Sequence, residues 1–354
     1  MAHLSTSDRG AGAAGGVGQL PQQAAPLAGR GRQAGASRSL SVVIPVYNSV
    51  GSLRLLCERL EPVLRDVSRE FEVILVNDAS RDGSWQVIEE LTREHGWVHG
   101  IDLMRNYGQH NALLCGVRAA RFEVIATMDD DLQHPPEELP KLLAALDQGY
   151  DVVYGSPVGQ QHGLLRNAAS RLTKLTLQAT LGAQTARQVS AFRVFRTMLR
   201  AAFADYRNTY VSLDVLLTWG GQRFTAVAVR HDPRTIGTSN YSLFKLLRHA
   251  LNMMTGFSTL PLRMASLVGF SFTLFGIGVL AYVLIRYVVS GGSIPGFPFL
   301  ASIIAIFSGA QLFALGILGE YLARMHTRLM DRPSYVVRSV VHEGARDETA
   351  HLDE

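Results

Sequence analysis

An apolar run, VIATM, ends in three consecutive carboxylates, Asp129, Asp130 and Asp131, followed by Leu132, Gln133, His134 and the prolines Pro135 and Pro136. Adjacent carboxylates repel one another unless a cation shares their site. In an extended segment Asp129 and Asp131 fall on one side and Asp130 on the other. Oxygen ligands of this kind suit Mg²⁺ or Mn²⁺, which commonly join one or two protein carboxylates to a substrate's phosphates. Gln133 continues the alternation and offers an amide oxygen. The same residues also read as an ordinary acidic turn before the helix at PPEELPKLLAAL; their place at the end of a buried strand favours the cation. His110 and His134 lie close by, but no cysteine or second histidine stands at zinc spacing, so they read as donor contacts or helix-start residues.

Two further loops have the chemistry to hold a nucleotide. PVYNS places Tyr47 where a ring can pack on a base, with Pro45 and Asn48 beside it, and VNDAS places Asp78 where a carboxylate can accept a base or ribose hydrogen bond. Either alone reads equally well as a helix start. The elements around them explain why they would converge. SVVIPVY, FEVILVND and VIATMDD are short continuous apolar runs separated by helical stretches such as SLRLLCERLEPVL and SWQVIEELTREH, with further strands expected at DVVYGS and RFTAVAVR. Such a pattern predicts an α/β fold with a parallel sheet covered on both faces. In such sheets ligands bind beyond the carboxyl ends of the strands, which is where residues 45–48, 77–80 and 129–133 fall.

The remaining composition concerns a membrane. From Met264 to Ile285 and from Pro298 to Gly319, 22 residues each, no side chain is charged. At about 1.5 Å per residue each run spans roughly 33 Å as a helix, enough for a hydrocarbon core of about 30 Å. Two transmembrane helices are expected, at about 264–288 and 297–321 within 263–323. Lys245, Arg248 and Arg263 precede them and Arg324, Arg328 and Arg332 follow, so both outer ends are expected on the cytoplasmic side of the inner (plasma) membrane. LFKLLRHALNMM predicts an amphipathic interfacial helix over 243–262. The net charge of +4 then needs no nucleic-acid partner, since basic residues beside the spans meet anionic lipid headgroups. Residues 1–38 read as a disordered tail, 39–242 as a cytoplasmic catalytic domain and 324–354 as a cytoplasmic C-terminal tail. Cys57 and Cys115 fall in the cytoplasmic part, where no disulfide is expected.

The series SVVIPVYN, ILVNDASRDGS, RNYGQHNALLCG, MDDDLQHPPEE, SAFRVF and GTSNYS, followed by two spans, resembles the polyprenyl-phosphate glycosyltransferases of glycosyltransferase family 2, from Leu40 to about Pro333. RNYGQH with DDDLQHPPEE is especially similar to the branch that handles formamidoarabinose and glucose. The resemblance implies a GT-A fold that moves a sugar from a nucleotide diphosphate, most readily a UDP-sugar, to a membrane polyprenyl phosphate such as undecaprenyl phosphate, with inversion. It implies that Asp129, Asp131 and Gln133 hold Mg²⁺ or Mn²⁺, and that Pro45, Tyr47, Asn48, Asp78 and Asp130 surround the donor nucleotide. Arg166, Ser190 and Arg193 would meet the lipid phosphate, and Arg234 the donor pyrophosphate. Similar proteins often form tetramers through their membrane parts.

The sequence departs from that family's pattern at Asn77, Ala79, Ala191 and Asn240, where Asp, Gly, Gly and Lys are usual. Three other readings stand beside this one: a dolichyl-phosphate mannose synthase-like enzyme using GDP-mannose, a processive polysaccharide synthase, and a non-catalytic subunit of a lipid-sugar flippase complex. The second would want a Q-x-x-R-W motif and more spans, and the third is opposed by the intact D-x-D-x-Q.

Overall fold

The computed structural model describes residues 38–157, 189–232, 260–290, 296–342 and 345–347. The expected N-terminal tail lies outside them apart from Arg38, as do Arg166, Arg234 and Asn240 and all but the last three residues of the expected interfacial helix.

Strand β1 (Ser39–Val46) is buried along nearly its whole length, and so are β2 (Glu70–Asn77) and β4 (Val124–Thr127). Their β-branched runs suit strands covered on both faces. Leu40, Val42 and Ile44 of β1 join one core with α1 (Leu53–Val67), α2 (Ser84–Glu94) and α4 (Leu139–Asp147), while Val43 points into the other. That second core holds Leu113, Leu114 and Val117 of α3 (Gln109–Ala119) and Leu216 and Leu217 of α5 (Leu213–Gly220). Alternating side chains of one strand therefore seal two layers of helices.

Nine strands among the described residues form one sheet in the order β7-β5-β6-β4-β1-β2-β3-β8-β9. The centre, β4-β1-β2-β3, is parallel, with β3 at Val98–Leu103. β6 (Arg193–Arg196) runs antiparallel between β4 and β5 (Val152–Pro157), and β7 (Phe224–Val229) lies parallel to β5. The sheet is therefore mixed, where an all-parallel one was expected. A short strand following a long connection enters from the opposite end.

Two helices follow, α6 (Leu260–Ser290) and α7 (Phe297–Leu329). Each is long and apolar enough to cross a membrane, with stretches of mean hydropathy 2.2 and 1.4. They meet through Phe272 and Phe307, ring centroids 5.8 Å apart. The protein is membrane-associated.

The chain beyond α7 corrects the expectation of a C-terminal tail over 324–354. α7 continues to Leu329, and Val337–His342 forms β8, pairing antiparallel with β3 from Gly100–Val341 to Leu103–Val337. β3 would otherwise be an open edge with unpaired backbone groups. Ala345–Asp347 adds β9. The last element of the catalytic sheet thus comes from beyond the membrane helices.

One close approach fixes how deeply α3 sits. A Cβ on Gly116 would lie 2.3 Å from Val43 Cγ1 and 3.0 Å from Val76 Cγ2. Because valine side chains are stiff at χ1, neither can swing aside. Gly116→Ala is expected to destabilise the protein by about 1–3 kcal/mol, read as a lowered melting temperature of the detergent-solubilised chain.

Candidate active site

The carboxyl ends of β1, β2, β3 and β4 open onto one cleft of about 420 Å³, lined among others by Tyr47, Asp78, Gln109, Asp129, Asp131 and Gln133. Pro45 and Asp130 line it too. The three loops singled out in the sequence are therefore brought together, as the carboxyl ends of adjacent parallel strands must be.

Asp78 is only 3% exposed. Its Oδ1 accepts the Tyr107 N–H at 2.7 Å and its Oδ2 the Gly108 N–H at 2.8 Å. Burial pushes its carboxyl above the usual range, and the two N–H bonds hold it part of the way down. Asp78 thus ties the loop after β2 to the loop after β3. A carboxylate has about four acceptor positions, so capacity towards the cleft remains.

The loop it holds contains residues that sequence reasoning left without a role. Asn106, Gly108 and Gln109 line the cleft, and Gln109 Nε2 donates to Asp129 Oδ1 at 2.6 Å. The signal was the polar run RNYGQ just before a helix. β3 itself, VHGIDL, carries too many polar residues to stand out as a strand.

The acidic segment is not extended. β4 ends at Thr127, and Leu132 takes φ 59°, a left-handed conformation unusual for a branched side chain, with its isobutyl group buried. The alternation expected for Asp129, Asp131 and Gln133 therefore fails. A turn aims them into the cleft instead, closed by the Gln133 N–H donating to Asp131 Oδ1 at 3.1 Å. Asp130 Oδ2 accepts the Tyr47 N–H at 3.3 Å, tying the acidic turn to the β1 loop. Burial raises the Asp130 carboxyl to about 6. Tyr47 leaves 47% of its surface exposed at the cleft. Asn48 has φ 55° and braces the neighbouring loop, its N–H donating to Ser80 Oγ at 3.0 Å and its Oδ1 accepting from Arg81 N at 2.8 Å.

Among the described residues no three His, Cys, Asp or Glu side chains converge as a metal cage. Two carboxylates and an amide on one cleft nevertheless fit Mg²⁺ or Mn²⁺, which take few protein carboxylates and fill the remaining positions with phosphate oxygens and water. His134 does not contribute. Its ring is buried between Phe192 and His231, centroids 5.6 and 5.0 Å away, and burial holds its pKa down at about 4. His110 Nδ1 accepts the Leu213 N–H at 3.4 Å. The His231 segment is fastened to the acidic turn by Asp232 N–H donating to Gln133 O at 2.9 Å.

Arg193 departs from the expectation that it meets a lipid phosphate. It is 2% exposed, ion-paired with Asp214 of α5, and Asp214 also accepts the Tyr154 hydroxyl at 3.2 Å. A buried guanidinium requires a counter-ion, and here it has one. Ser190 Oγ accepts the Phe192 N–H at 3.2 Å, and Thr127 Oγ1 donates to Ala191 O at 2.8 Å, so the SAFR turn leans on the end of β4.

Ala79 has φ 51°, where the related pattern has glycine. A Cβ in the left-handed region costs about 1 kcal/mol. Ala79→Gly is expected to raise the melting temperature by a few degrees, although the unfolded chain gains freedom; a fall would mean that the Ala79 methyl makes a compensating contact.

A family model described as glycosyl transferase family 2 matches residues 41–206. The undecaprenyl-phosphate 4-deoxy-4-formamido-L-arabinose transferase of Yersinia enterocolitica is 33% identical over 307 residues, 86% of this chain and 94% of that one. Its counterpart from Pseudomonas paraeruginosa is 35% identical over 305 residues, 85% and 90% of the two chains. Among solved structures, glucosyl-3-phosphoglycerate synthase from Mycobacterium tuberculosis superposes with a TM-score of 0.46 at 16% identity, over 62% of this chain and 76% of that one; so distant a likeness adds nothing to the strand order itself. Identity at a third of positions extends far past residue 206 in both relatives, and the chain belongs to glycosyl transferase family 2.

Proposed function

We propose that the cleft binds a nucleoside-diphosphate sugar, most readily a UDP-sugar, and that the enzyme transfers the sugar to the phosphate of a polyprenyl lipid, undecaprenyl phosphate first among candidates. The observation that carries this reading is the convergence of Asp129, Asp131 and Gln133 with Tyr47 and Asp78 on one cleft, in a chain that continues into two membrane-length helices. The relatives named for undecaprenyl phosphate support the acceptor.

In this reading Asp129, Asp131 and Gln133 hold Mg²⁺ or Mn²⁺, which when bound offsets the charge that builds on the departing nucleoside diphosphate. Tyr47 packs against the base. Asp78 keeps the β2 and β3 loops in register and presents its remaining acceptor positions to the nucleoside. Gln109 orients the Asp129 carboxylate through the 2.6 Å bond. The acceptor phosphate, with a second pKa of about 6, is already an ionised nucleophile at neutral pH. It attacks the anomeric carbon from the face opposite the leaving group, the C–O bond to the diphosphate breaks, and configuration inverts. No side chain has to remove a proton. Arg166 and Ser190 are assigned to the lipid phosphate and Arg234 to the donor pyrophosphate. Arg193, spent on Asp214, supports the Ser190 turn from below. Both termini and the catalytic domain are placed on the cytoplasmic side of the inner membrane, and the membrane helices are assigned to a homo-oligomer, a tetramer by resemblance.

The test supplies undecaprenyl phosphate with labelled UDP-sugars and GDP-mannose in Mn²⁺, Mg²⁺ or EDTA, and follows label into the lipid phase. Transfer from one donor is expected, abolished by EDTA and reduced by about 10²-fold or more in Asp131→Asn. No transfer from any donor by folded protein would contradict the reading and favour a non-catalytic subunit. A second outcome separates the two phosphates: Arg166→Ala is expected to raise the KM for the polyprenyl phosphate about tenfold while leaving the donor KM within twofold.

A further inference from the structure

Arg338 lies on β8, on the far side of the membrane helices from the rest of the sheet in chain order. Its guanidinium forks. Nη1 donates to Asp102 Oδ2 at 3.0 Å, and Nη2 to Met104 O at 2.9 Å. Each arm leads to a different loop of the cleft.

Through the first arm, Asp102 Oδ1 accepts Asn77 Nδ2 at 2.6 Å, and Asn77 Oδ1 accepts the Ser80 N–H at 3.2 Å. That fixes the turn carrying Asp78. Through the second arm, Met104 opens the loop whose Tyr107 and Gly108 N–H groups Asp78 accepts. Hydrogen bonds and chain together close a ring, from Arg338 through Asp102 to Asn77, along the chain to Asp78, and back through the 104–108 loop to Arg338. The Met104 N–H, donating to Val336 O at 2.9 Å, adds a backbone tie to the same segment. Asn77 is part of this arrangement. An aspartate there would set a second carboxylate against Asp102, which is itself 2% exposed.

We propose that Arg338 is a positioning residue of the nucleoside-diphosphate site, so that the segment leaving the second membrane helix sets the geometry of the donor pocket. This rests on reading the cleft as the donor site. Arg338 is half exposed but Asp102 is buried, so removing the guanidinium leaves a buried carboxylate without its cation. Its removal is felt at the two loops that it ties, and melting has to be read beside binding to separate that effect from a loss of stability. Lysine, a compact point charge without the planar fork, holds the two acceptors less rigidly.

The test is equilibrium binding of UDP and of GDP, each with Mn²⁺, to the full chain in detergent, alongside the melting temperature of the nucleotide-free protein. For whichever nucleotide the wild type binds, Arg338→Ala is expected to raise Kd about tenfold and Arg338→Lys, which keeps a cation beside Asp102, about threefold while melting close to the wild type. Asn77→Ala acts on the same ring, so Arg338→Ala and Asn77→Ala together should weaken binding by less than the product of their separate effects. Arg54→Ala breaks exposed pairs to Glu90 and Glu94 elsewhere on the surface and should leave Kd unchanged. Wild-type affinity in Arg338→Ala, or fully multiplicative effects with Asn77→Ala, would overturn the inference. Because binding and not turnover is read, a wild-type chain that binds nucleotide yet transfers no sugar contradicts the proposed function alone.

Discussion

One buried carboxylate holds the rim of this sheet in register. Asp78 accepts two consecutive backbone N–H groups from the loop of the neighbouring strand and so joins the loops after β2 and β3. Parallel strands release their loops at one end with backbone groups unpaired, and something must satisfy them without filling the space a ligand needs. Here an acid does so from below, with its neighbour Asn77 anchored to Asp102 and from there to Arg338. The acidic turn is tied in the same way, by Asp130 to the β1 loop and by Gln109 to Asp129. The cleft is a set of loops cross-braced through polar side chains.

That bracing determines the division of labour at the site. Asp129, Asp131 and Gln133 face the cleft from a turn strained at Leu132, and a strained left-handed residue at a ligand site is a conformation the surroundings must impose. The negative charge gathered there calls for compensation, and Arg193 is engaged by Asp214 instead. In the proposed reaction a divalent ion with the donor's diphosphate would meet that requirement, and the acceptor phosphate would bring its own ionised nucleophile. Catalysis in such a site is positioning and charge compensation, with proton transfer left out.

The sequence discloses the parts whose signal is local. The buried strands β1, β2 and β4, the amphipathic α1 and α2, the two apolar spans and the acid cluster all follow from composition over a few residues. What it hides is non-local. Arg193 reads as an exposed phosphate ligand because its counter-ion Asp214 stands 21 positions away and the pairing exists only when β6 lies beside α5. VRSVVH reads as a tail because its partner β3 is more than 230 residues earlier, across the membrane helices. VHGIDL escapes notice because Asp102 is polar yet buried, satisfied by Asn77 and Arg338. The expectation for Asp129 to Gln133 brought these residues to one cleft by the wrong geometry, since an extended segment was assumed where a turn occurs.

The central claim is that the two carboxylates and the amide form an incomplete cation site that the donor's diphosphate completes. Electron paramagnetic resonance of Mn²⁺ titrated into the full chain, alone and with UDP, GDP or their monophosphates, measures this directly. Mn²⁺ is expected to bind the protein weakly by itself, and at least tenfold more tightly with a nucleoside diphosphate but little more tightly with a monophosphate. Tight binding without nucleotide, or binding indifferent to the second phosphate, would contradict it.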